Sequence, residues 1–81
     1  MEMEIPKFQI GDIVSVEKMP EQSGYVDVKM MYIGMVGQVS DLTLIQDQWW
    51  QYALRITGIK GNVSWFDENR LKLVKMVERK L

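Results

Sequence analysis

The amino-acid sequence predicts an all-β domain in which short strands form a small barrel. Over most of the 81 residues the apolar positions alternate with a period of two, which is the period of a strand and not of a helix. Clusters of polar residues, glycine and proline interrupt this alternation at short intervals, as hairpin turns do. The segments between the clusters are too short to be stable alone. We therefore expect five or six antiparallel strands in a sheet that curls and closes on itself.

The first half of the chain contains a turn, a strand and a longer loop. The turn is expected at Gly11-Asp12, where Asp12 would accept backbone N–H bonds and so cap the turn. A second turn is expected at residues 20–24, which include proline, serine and glycine. The alternating apolar positions of this half are Phe8, Ile10, Val14, Val16, Val26, Val28, Met30, Met35, Gly37, Val39, Leu42 and Leu44.

The second half alternates more strongly. Residues 49–56 place Trp50 on one face of a strand and Trp49 on the other. Polar residues 46–48 and the glycine-containing residues 58–62 predict the turns on either side of this strand. The polar segment 67–70 predicts one turn of 3₁₀-helix with Asp67 as its N-cap, and the last strand is expected over residues 71–75. A frayed tail or a short helix would follow.

Composition and charge place the chain among folded soluble domains. Hydrophobic residues make up 47% of the chain and charged residues 26%. No apolar run approaches the length of a membrane helix and the start of the chain is acidic, so we expect a cytoplasmic protein. The expected organisation is an N-terminal arm over residues 1–7, a barrel over residues 8–75 and a basic C-terminal tail over residues 76–81.

Two amino acids that carry much of enzyme chemistry are missing from this chain. It contains no cysteine and no histidine. This excludes disulfides, a thiolate nucleophile, the usual zinc sites and the commonest general base. The serines have no histidine to activate them, and the carboxylates show no paired spacing for acid–base work. We therefore expect no enzymatic activity, no metal and no cofactor.

Three segments, taken in order, resemble the bacterial SH3-like barrels. Residues 8–16 resemble the first strand of those domains, F-x-x-G-D-x-V-x-V, and residues 34–39 resemble their second strand, G-x-x-G-x-V. Residues 65–74 are similar to their closing segment, W-F-x-E-x-x-L-x-x-V, in which a turn of 3₁₀-helix precedes the last strand. The resemblance implies an SH3-like barrel. The group includes nucleic-acid-binding and ribosome-associated domains of the KOW type, small subunits of redox enzymes, and uncharacterised bacterial and phage proteins.

The aromatic residues of the second half give the leading functional hypothesis. Neighbouring residues of a strand point to opposite faces, so Trp49 should point outward if Trp50 points inward, and one of Trp65 and Phe66 should also be exposed. Exposed aromatic side chains are typical of surfaces where partners dock. We expect a protein-binding or base-stacking face made of Trp49, Phe66, Tyr25 and Tyr32. The alternative is that the loop over residues 17–34 covers Trp49 and forms a second small core.

The distribution of charge supports a second hypothesis, nucleic-acid binding. Residues 1–69 contain five basic and ten acidic residues, whereas residues 70–81 contain five basic residues and one acidic residue. The possible contacts to nucleic acid are Arg55, Lys60, Arg70, Lys72 and Lys75. The alternative is that the charged tail only keeps the chain soluble. A third hypothesis is a structural role with self-association through a sheet edge. The identity of a partner and the oligomeric state do not follow from the sequence.

Overall fold

The computed structural model describes residues 5–17 and 32–78, which form one antiparallel sheet of five strands. The strands are β1 Ile13–Val16, β2 Val36–Ile45, β3 Trp49–Ile56, β4 Asn62–Asp67 and β5 Leu71–Lys75, and a 3₁₀-helix, Glu68–Arg70, precedes β5. The predicted all-β class, the 3₁₀ turn and the last strand are confirmed. The alternation predicted at Val26, Val28 and Met30 and the turn predicted at 20–24 lie outside the described residues.

The order of the strands requires the sheet to curl. The order across the sheet is β4-β3-β2-β1-β5, so two strands that are consecutive in the chain, β4 and β5, lie at opposite edges. In a flat sheet those edges would be about 19 Å apart, four strand spacings. The three-residue helix that joins them rises only about 6 Å. The sheet therefore curves until the end of β4 approaches the start of β5, although these strands do not pair in the part of the chain that is described.

Curling gives the sheet an inner face, which carries the core, and an outer face. The core side chains come from all five strands and from Phe8, which precedes β1. Tyr32, Leu42 and Trp50 pack against the margin of the core. The buried cluster is Phe8, Val14, Val16, Val39, Tyr52, Leu54, Ile56, Phe66 and Leu71.

Strand β2 contains two features that favour this curvature. The pairing with β3 shifts between Val39 and Asp41, which leaves Ser40 in a bulge, and the Ser40 hydroxyl donates to the backbone carbonyl of Ala53 at 3.1 Å. Bulges bend a strand and increase its twist. At Gly37 an added Cβ would lie 3.0 Å from Ile56 Cγ1 and 3.3 Å from the carbonyl oxygen of Arg55, so a side chain at this position would crowd β3.

The two hairpin turns are where the sequence predicts them. Between β2 and β3, Gln46 and Asp47 both have positive φ, and the N–H of Gln48 donates to the carbonyl of Ile45 at 2.8 Å. Between β3 and β4, Gly58 and Gly61 supply the positive φ angles. Glycine is suited to the second turn, whereas the first turn uses two residues with side chains in a conformation that they adopt at a cost.

Two local expectations are corrected. Ile10 shares the parity of Phe8 but is 58% exposed, because the chain turns at this point and the N–H of Asp12 bonds to the carbonyl of Gln9. Asp67 occupies the N-cap position of the 3₁₀-helix, but its side chain makes no capping bond. Its Oδ1 accepts instead from Gln51 Nε2 at 2.8 Å, because the two residues are paired across β3 and β4.

Candidate functional site

The two consecutive tryptophans of β3 point to opposite faces of the sheet. Trp50 is half-buried and packs against the core, whereas Trp49 lies on the outer face and is 37% exposed. This confirms the expected alternation. Because the fold uses Trp50 and leaves much of Trp49 accessible, Trp49 is the first member of the candidate site.

In the second aromatic pair, Trp65 and Phe66, the orientations of the two side chains are the reverse of the expected ones. Phe66 is paired with Tyr52, which points inward, so the Phe66 ring is completely buried in the core. The prediction that Phe66 lies on an exposed docking face is therefore wrong. Trp65 is paired with Ala53 and points outward, with 38% of its surface exposed. The alternation alone indicates that one of the two is exposed, but the register with β3 decides which one.

The two tyrosines that were expected to complete the site do not join Trp49. Tyr32 is half-buried and packs edge-on against Phe66, with ring centroids 5.6 Å apart and planes at 86°. It therefore belongs to the margin of the core on the inner side of the sheet. Tyr25 lies outside the described residues. The four predicted aromatics are thus not brought together on one surface, and Trp65 replaces Phe66 as the second outward aromatic side chain.

The outer face of β3 and β4 is therefore an aromatic face, which we define by Trp49, Gln51, Ala53, Trp65 and Asp67. The Gln51–Asp67 hydrogen bond lies between the two indoles and fixes the polar centre of this face. Ala53 is only 1% exposed although it is on the outer side, and its cross-strand neighbour is Trp65. Ala53 and Trp65 thus form a cross-strand pair of a small and a large side chain on this face.

A shallow cavity of about 310 Å³ adjoins the aromatic face at Trp49. Its other walls are Asp67, Glu68 and Asn69, from the end of β4 and the 3₁₀-helix. The lining thus combines an indole with two carboxylates. This lining suits a basic side chain, whose cationic end is attracted by the carboxylates and by the face of an aromatic ring.

Glu68 is held in place by a hydrogen-bond network that sequence reasoning missed. Its Oε2 accepts from the Tyr52 hydroxyl at 2.5 Å and from the backbone N–H of Lys7 at 3.0 Å. The same hydroxyl accepts from the N–H of Phe8 at 3.3 Å. Burial, and after it the bond to the Glu68 carboxylate, raises the pKa of Tyr52 above its usual range. The network connects the chain before β1 to the 3₁₀-helix and so fixes one wall of the cavity.

The predicted nucleic-acid contacts divide into an exposed set and one buried residue. Arg70 is only 2% exposed, and its Nε donates to the carbonyl of Glu17 at 3.3 Å. Its prediction as a contact to nucleic acid is therefore wrong, because its side chain points into the fold. Lys60 is exposed in the turn between β3 and β4. The other three, Arg55, Lys72 and Lys75, are exposed residues of β3 and β5.

The strand register aligns several of these groups in one row across the outer face. Ile13 of β1 is paired with Lys75 on one side and Gln38 on the other, and Gln38 is paired with Arg55. Lys72 lies in the adjacent row, paired with Ser15. The row places a cation at each end, about 14 Å apart at three strand spacings. Sequence spacing alone could not show this, because Arg55 and Lys75 are brought together only by the strand order.

The buried carboxylate of Asp12 has a structural role, as the sequence predicts. Oδ2 accepts from the N–H of Gln9 at 2.9 Å, and Oδ1 accepts from the N–H of Val77 at 2.8 Å. The first bond caps the turn before β1. The second fastens the chain just after β5 to the same turn, so Asp12 holds two distant segments together.

Comparison with known proteins provides no relative from which to transfer a function. No family model, no curated protein and no solved structure matches the chain. Within residues 5–17 and 32–78, no group of three or more acidic side chains is placed to hold a metal ion. Among the same residues, no helix has the length and apolar character needed to cross a bilayer.

Proposed function

We propose that this chain is a small non-catalytic interaction module that binds a protein partner, or joins a complex as a small subunit, through its aromatic face. The observation that carries the proposal is that Trp49 and Trp65, each more than one-third exposed, lie on the same outer face of adjacent strands. Tryptophan is enriched among the residues that dominate binding energy, because it buries a large area with few rotatable bonds.

We also propose that the fold is an SH3-like barrel. Three features favour it: the curled five-stranded sheet, the last strand placed beside the first, and the 3₁₀-helix that joins the two edges. The three sequence motifs that resemble that group fall on β1, on β2, and on the β4–β5 connection. A fold of this class is compatible with many functions, so the proposed function rests on the aromatic face and not on the fold.

The chemistry of the cavity beside Trp49 indicates what kind of partner fits. With Asp67 and Glu68 in its lining, the cavity favours a lysine or arginine side chain whose aliphatic part packs on the indole. We therefore propose a partner that presents a basic segment to this face. The cytoplasm is the compartment we propose for this interaction.

Affinity capture from the native host tests this function. The bait is the full chain, as wild type, as Trp49→Ala and as Ile59→Ala. Ile59 is a matched control, because it is 39% exposed but lies in the turn between β3 and β4. We expect wild type and Ile59→Ala to capture the same protein and Trp49→Ala to lose it while keeping the wild-type circular dichroism spectrum. Equal capture by folded Trp49→Ala would refute the proposal.

Nucleic-acid binding is the second candidate function, and the row that ends in Arg55 and Lys75 favours it. Two cations on one sheet face, with Lys72 on the same strand as Lys75, can neutralise phosphates of a single strand of nucleic acid. Labelled single-stranded RNA and DNA would be titrated at low and moderate salt against Arg55→Ala, Lys75→Ala and the control Lys7→Ala. Binding that falls steeply with salt and with the first two substitutions would support this candidate. No binding at low salt would remove it.

A further inference from the structure

Two shallow cavities adjoin the row of the outer face that runs from Lys75 through Ile13 and Gln38 to Arg55, which we call the basic row. The cavity of about 460 Å³ has Lys75 in its lining, and the cavity of about 280 Å³ has Arg55. Gly11 and Gln38 line both, so the two cavities are neighbours. The basic row therefore has a hollow beside each of its two cations.

The side chain of Gln38 separates the two hollows. Its Nε2 donates to the carbonyl of Gly11 at 3.3 Å, a bond that links β2 to the turn before β1. Within residues 5–17 and 32–78 this side chain makes no other hydrogen bond, so its Oε1 is available to accept one from a ligand.

The two cations of the basic row have no counter-ion in the part of the chain that is described. Neither Arg55 nor Lys75 makes a side-chain hydrogen bond or an ion pair there. Glu78 lines the same cavity as Lys75 without pairing with it. The two linings together contain two cations and one carboxylate, so an excess of positive charge is left for an anionic ligand.

Apolar side chains form much of the remaining walls. Met76, which is 56% exposed, lines the cavity of Lys75, and Ile10, which is 58% exposed, lines the cavity of Arg55. A glutamate side chain fits such a hollow, because its methylene groups can pack on the apolar wall while its carboxylate meets the cation. Single-stranded nucleic acid is held largely by stacking of bases on aromatic rings, and neither lining contains an aromatic residue.

From this charge complementarity we infer that the basic row is a second docking surface, which binds an extended acidic segment of a partner protein with two glutamates four positions apart. Alternate side chains of an extended chain share one face, and four positions span about 13 Å. The backbones of Arg55 and Lys75 are three strand spacings apart, about 14 Å. The middle side chain of the segment then lies over Ile13, and a backbone N–H can donate to Gln38 Oε1.

A peptide titration of the full chain, followed by NMR, tests the inference. The probe Glu-Thr-Val-Thr-Glu, blocked at both ends, has the required spacing, and its β-branched residues favour an extended chain. We expect it to shift the backbone amide signals of Ile13 and Gln38 and to leave the indole N–H signal of Trp49 unchanged. Absence of these shifts up to about 1 mM peptide would overturn the inference.

A rearranged peptide tests the spacing without changing the protein. Thr-Glu-Val-Glu-Thr has the same composition, but its glutamates are only about 7 Å apart. It should bind about fivefold more weakly than the probe, because only one of its carboxylates can reach a cation at a time. Equal affinity of the two peptides would contradict the proposed spacing.

Four single variants at exposed positions test the residues. Arg55→Ala and Lys75→Ala should each weaken binding of the probe about fivefold, whereas the control Lys7→Ala, outside both linings, should bind it like the wild type. Glu78→Gln should strengthen binding about twofold, since it removes the carboxylate beside Lys75. Unchanged affinity in folded Arg55→Ala and Lys75→Ala would overturn the inference.

A competition experiment distinguishes a carboxylate ligand from a phosphate ligand. A short single-stranded oligothymidylate is added to the complex of the wild type with the probe. We expect the probe to stay bound when the oligonucleotide is equimolar with it. Displacement of the probe under this condition would show that the basic row prefers a nucleic acid, and would overturn the inference.

This inference goes beyond the proposed function and can fail independently of it. Trp49 lines neither of the two cavities. Trp49→Ala should therefore lose the partner captured through the aromatic face and still bind the acidic probe like the wild type. Lys75→Ala should weaken binding of the probe and keep the captured partner.

Discussion

Tyr52 is the residue on which the core and the polar network converge. Its ring lies in the core, 5.2 Å from the ring of Phe8, and its hydroxyl joins the N–H of Phe8 to the Glu68 carboxylate. One side chain therefore couples apolar packing to the position of the cavity wall.

The raised pKa of Tyr52 predicts a loss of stability in alkali. An unfolded tyrosine ionises near pH 10, whereas the folded protein keeps the Tyr52 proton to higher pH. The folded state then binds more protons than the unfolded state, so the contribution is complete below about pH 10 and falls as the pH rises further. Urea unfolding at a series of pH values should show this decline in the wild type.

Tyr52→Phe separates this effect from the titration of lysines. We expect the variant to be about 2 kcal/mol less stable at neutral pH, since the hydroxyl's two hydrogen bonds are lost. Above pH 10 its stability should fall less steeply than that of the wild type. Tyr32→Phe is the control, because it removes a tyrosine hydroxyl and leaves the Tyr52–Glu68 bond in place. Parallel pH profiles for wild type and Tyr52→Phe would contradict this account.

Asp12 provides a second test at the scale of one residue. Its carboxylate is fully buried and accepts backbone N–H bonds from Gln9 and Val77. Asp12→Ala leaves both donors, which are partly buried, without this acceptor, and we expect a loss of about 3 kcal/mol in chemical denaturation. Asp47→Asn, at an exposed turn position that asparagine tolerates, should change the stability little. An equal effect of the two substitutions would show that Asp12 does not hold the two segments.

Among the elements, the turn between β2 and β3 is the least well matched to its sequence. Gln46 and Asp47 have φ values of 49° and 55°, and a pair of residues with positive φ at this position favours Asn-Gly. The double substitution Gln46→Asn and Asp47→Gly should therefore stabilise the protein by about 1 kcal/mol. Thermal unfolding would show a higher Tm. The reverse experiment, Gly58→Ala in the other turn, should lower the Tm, because Gly58 has a φ of 88°. A lower Tm for the Asn-Gly variant would mean that the turn is not formed as described.

The strands show which structural features a period of two predicts and which it leaves undetermined. The alternation predicts β3, the opposite orientations of Trp49 and Trp50, and β5 over residues 71–75. It does not determine which of Trp65 and Phe66 is inside, because both assignments have the same period. Only the pairing of Phe66 with Tyr52 decides this, and the pairing depends on the bulge between Ala53 and Arg55.

For the whole molecule, the features that sequence reasoning missed are those that depend on strand order. Arg70 is basic and near the end of the chain, which suggested exposure, but the curl of the sheet buries it under the segment that carries Glu17. The alignment of Arg55 with Lys75 also arises only when β5 is placed beside β1. Local pattern thus predicted the strands and turns, whereas the composition of the candidate site required the register and order of the strands.

At the scale of the whole molecule, the two faces of the sheet differ in composition. The inner face holds the core, and the outer face of β3 and β4 carries two indoles that are more than one-third exposed. In a domain of 81 residues large apolar side chains are needed inside, so two tryptophans more than one-third exposed on the outer face favour the proposed binding role.

The most direct test of this difference between the two faces compares the free energy of unfolding of Trp49→Ala with that of Phe66→Ala by urea denaturation. Phe66 is fully buried, so its truncation should cost about 3 kcal/mol or more. Trp49 lies on the outer face, and its truncation should cost only about 1 kcal/mol and leave a cooperative transition. A loss for Trp49→Ala as large as that for Phe66→Ala would show that this indole belongs to the folding core, and would contradict the account.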